Sequence, residues 1–138
     1  MAPSAYKYRK VRAKWLEELL VARRMMCWIC KHRPGTDVEH MMHGRARSKV
    51  AVLDTATFCW LCHQCHMNLE DVLEPFLPPE ETISDKLARR RLCALLSLKK
   101  RNDPSHYDRS KVLRLYGYSD RFISDDDVAS CACDRSRD

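Results

Sequence analysis

Two C-x2-C pairs, Cys27 with Cys30 and Cys62 with Cys65, constrain this chain more than any other feature. A tight C-x2-C turn aims both thiolates at one point, and two such turns supply the four sulfurs that a tetrahedral structural Zn2+ site requires. The pairs stand 31 residues apart (62 − 30 − 1), so one ion would tie two distant turns into a single core. The alternative is two disulfides or four ordinary buried thiols, but adjacent pairs at this spacing rarely arise from packing alone. Cys59 lies three residues before Cys62, which makes a Cys59/Cys62 knuckle the competing register, and His63 is near enough to substitute as a ligand. Cys62 with Cys65 is preferred because Cys65-His66 then opens a helical stretch.

Between and after the knuckles lie Glu39-His40, His43 and His66. Together with the cysteine pairs, these residues make the stretch resemble the zinc-containing HNH endonucleases of the ββα-metal (His-Me finger) group. That family's pattern runs C-x2-C, then Asp-His on a strand, then Asn ahead of a second C-x2-C followed directly by His. Glu39-His40 stands where the family has Asp-His, and His66 where it has the final His. Five residues before Cys62, where the family usually places Asn, this chain has Thr57; Asn68, close after His66, is the other source of an amide. The resemblance covers about a third of the chain, from Cys27 to roughly Asp71.

The resemblance implies a small α+β, zinc-stapled ββα-metal (treble-clef-like) core and a phage-type nuclease. Phosphodiester hydrolysis needs a nucleophilic water, a base to deprotonate it, and a cation to stabilise charge on the phosphate and the leaving oxygen. In the family the base is the His of the strand pair, which carries over to His40. The cation, Mg2+ or another divalent ion, is held by the preceding acid and the helix His, which carry over to Glu39 and His66. Adjacent strand residues point to opposite faces, so Glu39 and His40 reach one site only from a strand end or a distorted backbone. His43 is a secondary candidate for phosphate or metal binding. The runner-up reading is a non-catalytic treble-clef zinc finger that binds nucleic acid or a host protein to modulate transcription or defence.

The chain has 138 residues, one domain by the usual prior, and so short a chain gains from a metal staple. It shows no Gly-rich phosphate loop, no signal-like start and no run of 18 apolar residues, so a cytoplasmic location, in the host cell if phage-encoded, is expected. Residues 1–60 carry 12 Lys and Arg against 5 acids, a net of +7, whereas residues 61–138 carry 13 against 14, a net of −1. A positive field around the first half attracts a polyanion, so DNA is the expected partner and RNA the alternative one. Arg45, Arg47 and Lys49 in the loop GRARSK follow the catalytic candidates and are placed to grip phosphate.

In chain order, Tyr6 to Met26 reads as a basic amphipathic helix carrying Val11, Trp15, Leu16, Leu19 and Leu20 on one stripe. Pro34-Gly35 predicts a tight turn, Thr36 to Met42 the first strand, and Val50 to Leu53 or Phe58 to Leu61 the returning one. Trp28 and Trp60 are expected to cover the zinc site rather than stack bases. A helix from Cys65 to about Leu73 ends before Pro75. Beyond the connector EPFLPP, a helix runs from a Thr82 or Ser84 cap to about Lys100 with Arg89, Arg90 and Arg91 as a charged belt. A shorter one spans about Tyr107 to Tyr116 and stops at Gly117. The domain scheme is therefore 1–26, the core at 27–74, a helical extension at 80–120, and a polar tail at 121–138 expected to lack structure.

Overall fold

The computed structural model describes residues 26–42, 54–79 and 87–131, together with Lys10 and Lys14, both helical and exposed. Met26, expected to end the N-terminal helix, instead pairs with Pro34 in an isolated β-bridge; the rest of that helix, His43, Arg45, Arg47, Lys49, the alternative strand Val50 to Leu53, and the proposed caps Thr82 and Ser84 lie outside the described residues. What is described is α+β: a two-stranded antiparallel sheet, β1 (Asp37–His40) and β2 (Phe58–Leu61), with helices α1 (His63–Met67), α2 (Leu69–Leu73), α3 (Leu87–Asn102), α4 (Arg109–Leu115) and α5 (Asp125–Ala129).

The first knuckle reverses the chain before the Pro-Gly pair, not at it. Lys31 takes the left-handed conformation (φ 63°), its N–H donates to the Cys27 carbonyl at 3.1 Å, and the Cys27 N–H reaches the Arg33 carbonyl at 2.8 Å. Gly35 has no positive φ; the turn that needs one falls directly after Cys30. The strands pair Asp37 with Leu61, Val38 with Trp60, Glu39 with Cys59 and His40 with Phe58. All four β2 residues are buried, as their apolar run demands. Ahead of β2, Asp54 caps a single 3-10 turn by accepting from the Ala56 N–H at 2.9 Å, which aims the chain into the strand.

The helix expected over residues 65–73 is two short ones. Asn68 leaves the helical region (φ −113°, ψ 32°), and its Nδ2 donates to the Gln64 carbonyl at 3.0 Å, competing with the backbone ladder as Asn side chains do. The 16-residue α3 packs against β2 and α5 and buries Leu92, Leu95, Leu96 and Leu98. Lys99 is fully buried there: its Nζ donates to the Thr55 and Phe58 carbonyls at 2.6 and 2.9 Å and pairs with Asp103 at 3.1 Å. The three arginines are struts rather than a solvated belt. Arg89 donates to the Phe122 carbonyl, Arg90 to the Pro78 carbonyl, and Arg91 to Glu39.

Helix α4 starts at Asp108, which accepts from the Lys111 N–H, and stops at Gly117 with φ 81°, where only a residue without Cβ sits at ease. The expectation of a structureless tail from 121 is corrected as far as Cys131. Ser124 and Asp127 form a reciprocal capping box that starts α5, and Val128 and Cys131 are buried beside α3, with the Cys131 sulfur 3.6 Å from that of Cys93. The polar composition of SDDD masked a helix-start signature. Among the described residues no helix is long and apolar enough to cross a membrane.

Candidate metal centre and the adjoining pocket

The ligand sulfurs of Cys27, Cys30, Cys62 and Cys65 lie within 4.8 Å of one another, three of the residues buried and Cys30 half-buried. Tetrahedral Zn2+ with bonds of about 2.3 Å places its sulfurs roughly 3.8 Å apart. Cys30 and Cys62, from opposite knuckles, are 3.9 Å apart, so the cluster has the dimensions of a four-thiolate zinc site. A disulfide requires about 2.0 Å; the bridged alternative is not what forms here, and all four are thiols. The competing register is settled too. Cys59 sits on β2 opposite Glu39 with its sulfur against the Leu95 carbonyl at 3.7 Å, and burial pushes its thiol up to about 12.

Backbone N–H groups converge on the cluster, as thiolate ligands require. The His32 N–H lies 3.5 Å from the Cys30 sulfur and the Cys65 N–H 3.4 Å from the Cys62 sulfur. Burial opposes ionisation of Cys62, but the Cys65 N–H and the Arg33 guanidinium at 3.9 Å outweigh it and bring the thiol down to about 6. His63 is not needed as a substitute ligand; it faces Asp37. Trp28 and Trp60 are both 1% exposed, so they pack the core and are closed to base stacking.

Helix α1 starts after Cys62, whose sulfur caps it, so the four-cysteine cluster fixes where His63 and His66 project. Alternate residues of β1 share a face, and residues three apart share a side of a short helix. The result is two parallel carboxylate–imidazole pairs: His63 Nδ1 is hydrogen-bonded to Asp37 Oδ2 at 2.9 Å, while His66 Nδ1 lies 3.1 Å from Glu39 Oε2 at ion-pair distance without making a hydrogen bond. The Glu39–His66 pair is the deeper one. Glu39 is 2% exposed, and Arg91 of α3 closes on its other oxygen, Nη2 to Oε1 at 2.8 Å, while Nη1 reaches the Met41 carbonyl at 3.3 Å. These groups line an open pocket of about 410 Å3 completed by Met67, Asn68, Leu69, Glu70 and Asp71.

The two expected cation ligands, Glu39 and His66, therefore meet in one pocket, and Asn68 stands in its wall with Nδ2 turned back to the helix. Thr57 is not there: it is fully buried, and its hydroxyl donates to the Asp54 carbonyl at 2.8 Å to hold the 3-10 turn. His40 does not line the pocket. As strand alternation requires, it takes the other face of β1, buried and edge-on to its cross-strand partner Phe58 with ring centroids 4.9 Å apart. Sequence reasoning missed Arg91 as a site residue, because nothing local distinguishes it from its neighbours Arg89 and Arg90. The Asp37–His63 pair was legible in principle, since D-x-E on a strand facing H-x2-H on a helix has matched periods.

Comparison with family models, curated proteins and solved structures finds no match to this chain.

Proposed function

We propose that the protein is a zinc-stapled, metal-dependent HNH-type DNA endonuclease with a ββα-metal, treble-clef-like core. The observation that carries this reading is the meeting of Glu39 and His66 in a single open pocket directly beside a four-cysteine cluster. Zn2+ on Cys27, Cys30, Cys62 and Cys65 would be structural, since four sulfurs leave no open position for a substrate.

One carboxylate and one imidazole fit a divalent ion that keeps several waters and takes further oxygens from a phosphate. Glu39 and His66 would hold that ion, Mg2+ or another, which when bound stabilises charge on the phosphate and the leaving oxygen. Arg91 of α3 donates to the same carboxylate. His40, at the C-terminal end of β1, is the proposed general base by the resemblance alone; its ring packs on Phe58 on the face opposite Glu39, so the role requires it to turn from Phe58 toward the pocket. Asn68 and the basic residues Arg45, Arg47 and Lys49 are proposed to position the backbone of DNA, with RNA the alternative polymer.

A second reading has its own support. Thr57 and Asn68 spend their side chains on local backbone, and His40 packs on Phe58. A non-catalytic zinc finger that binds nucleic acid or a host protein would look the same. Plasmid cleavage with Mg2+, Mn2+ or Ni2+, compared between wild type and His40→Ala, separates the two. The endonuclease reading expects cleavage by wild type and about a hundredfold or greater loss in the variant. Wild type that shifts DNA on a gel yet leaves it intact with every ion would establish the binding module instead.

A further inference from the structure

Glu39 is buried, yet neither of its oxygens faces open water: Arg91 is 2.8 Å from one and His66 is 3.1 Å from the other. The guanidinium comes from α3, 52 residues beyond Glu39 and outside the stretch that carries the zinc cluster. A guanidinium and a divalent cation on one carboxylate would lie within a few ångströms of each other in a partly desolvated wall, and their repulsion sets the two in competition. Arg91 has somewhere to go. Its side chain is 20% exposed, it lines the 410 Å3 pocket, and its second anchor, the Met41 carbonyl at 3.3 Å, is the weaker one.

We propose that Arg91 competes with a divalent cation for the Glu39 carboxylate, so that loading the pocket requires the guanidinium to move off Oε1. The inference rests on the proposed role of Glu39 and His66 as a cation site and adds a control element that lies outside that pair. In the resting arrangement Arg91 neutralises a buried carboxylate that would otherwise be uncompensated. Once displaced it remains in the pocket wall, where a planar guanidinium matches the two oxygens of a phosphodiester. The acidic neighbours Glu70 and Asp71 at the exposed rim would draw cations toward the pocket.

The test is Mn2+ binding to zinc-loaded protein, followed by calorimetry and by the loss of free-ion paramagnetic signal, at about pH 8 because metal ligands bind in their deprotonated forms. Wild type, Arg91→Gln, Arg91→Lys and Glu39→Gln are compared, with thermal melting to show that each is folded. Removing one adjacent positive charge is expected to tighten Mn2+ binding about tenfold or more in Arg91→Gln. Arg91→Lys, which keeps the charge, should stay near wild type, and Glu39→Gln should bind weakest. Equal or weaker binding by Arg91→Gln, with Glu39→Gln still abolishing it, overturns the competition and leaves the cation site standing. Absence of Mn2+ binding at Glu39 in both wild type and Arg91→Gln overturns both. Should Arg91→Gln fail to fold, the comparison passes to Arg91→Met, which keeps the stem of the side chain packed without its charge.

Discussion

The two carboxylate–imidazole pairs on β1 and α1 are built by the same rule and have different fates. Asp37–His63 and Glu39–His66 are each one strand repeat and one helical step apart, with separations of 2.9 and 3.1 Å. Yet the first pair is largely in water, its side chains 27% and 73% exposed, while the second is 3% and 30% exposed. The difference lies in what arrives from elsewhere. Helix α3 delivers Arg91 to Glu39, whereas Asp37 is bonded to His63 and to its neighbour Thr36. Local periodicity made two candidate sites, and tertiary packing chose between them.

The largest effect should come from removing the platform on which both pairs stand. Because Cys62 caps α1 and also belongs to the cysteine cluster, losing the metal should cost both histidines their position at once. Cys65→Ser, or treatment with a strong chelator, is expected to release about one equivalent of zinc and abolish cooperative unfolding, as loss of a structural zinc does in small domains. Zinc assay and circular dichroism read both. A Cys65→Ser protein that melts as sharply as wild type would detach the two pairs from the cluster and remove the reason they run parallel.

A smaller effect separates the pairs by function. His66→Ala should lower DNA cleavage about a hundredfold or more if the deeper pair works as proposed. His63→Ala, which touches only the exposed Asp37, should leave the rate within about twofold. Plasmid nicking at saturating Mn2+ measures both. Equal losses would mean that the distinction between a buried and an exposed pair has no functional content.

How much of this was legible in the sequence follows the same division. The four-cysteine cluster was, because C-x2-C is a local signature, and so was the order strand, strand, helix that follows the first pair. The stop at Gly117 was visible for the same reason. The turn at Lys31 was not: a left-handed lysine is dictated by the knuckle closing on itself, whereas Pro34-Gly35 carries the stronger local turn signal. Asn68 breaking the helix and Ser124 starting one are side-chain competitions that apolar periodicity does not register. Arg91 was hidden for a deeper reason. Three consecutive arginines on one helix look alike until the fold assigns each a different partner, and only the fold put Glu39 opposite the third.

The smallest effect is also the sharpest comparison, because it sets the two carboxylates side by side in one measurement. Glu39→Gln leaves the Arg91 guanidinium against a neutral amide in a buried wall and should cost about 2 kcal/mol in urea unfolding. Asp37→Asn should cost about 0.5 kcal/mol or less, since its partner His63 is mostly solvated and the attraction is screened. The Asp37 term also has a pH signature. The hydrogen bond from His63 holds the Asp37 carboxyl below its ordinary range. A carboxyl lowered by folding adds stability that is fully present above its unfolded value, roughly 3.9, and is lost as pH falls through the lower folded value. The gap between wild type and Asp37→Asn should therefore be open at about pH 5.5 and shrink steadily on acidification through about pH 3. If that gap stayed constant across the range, or matched the cost of Glu39→Gln, burial and Arg91 would not be what distinguishes the two pairs.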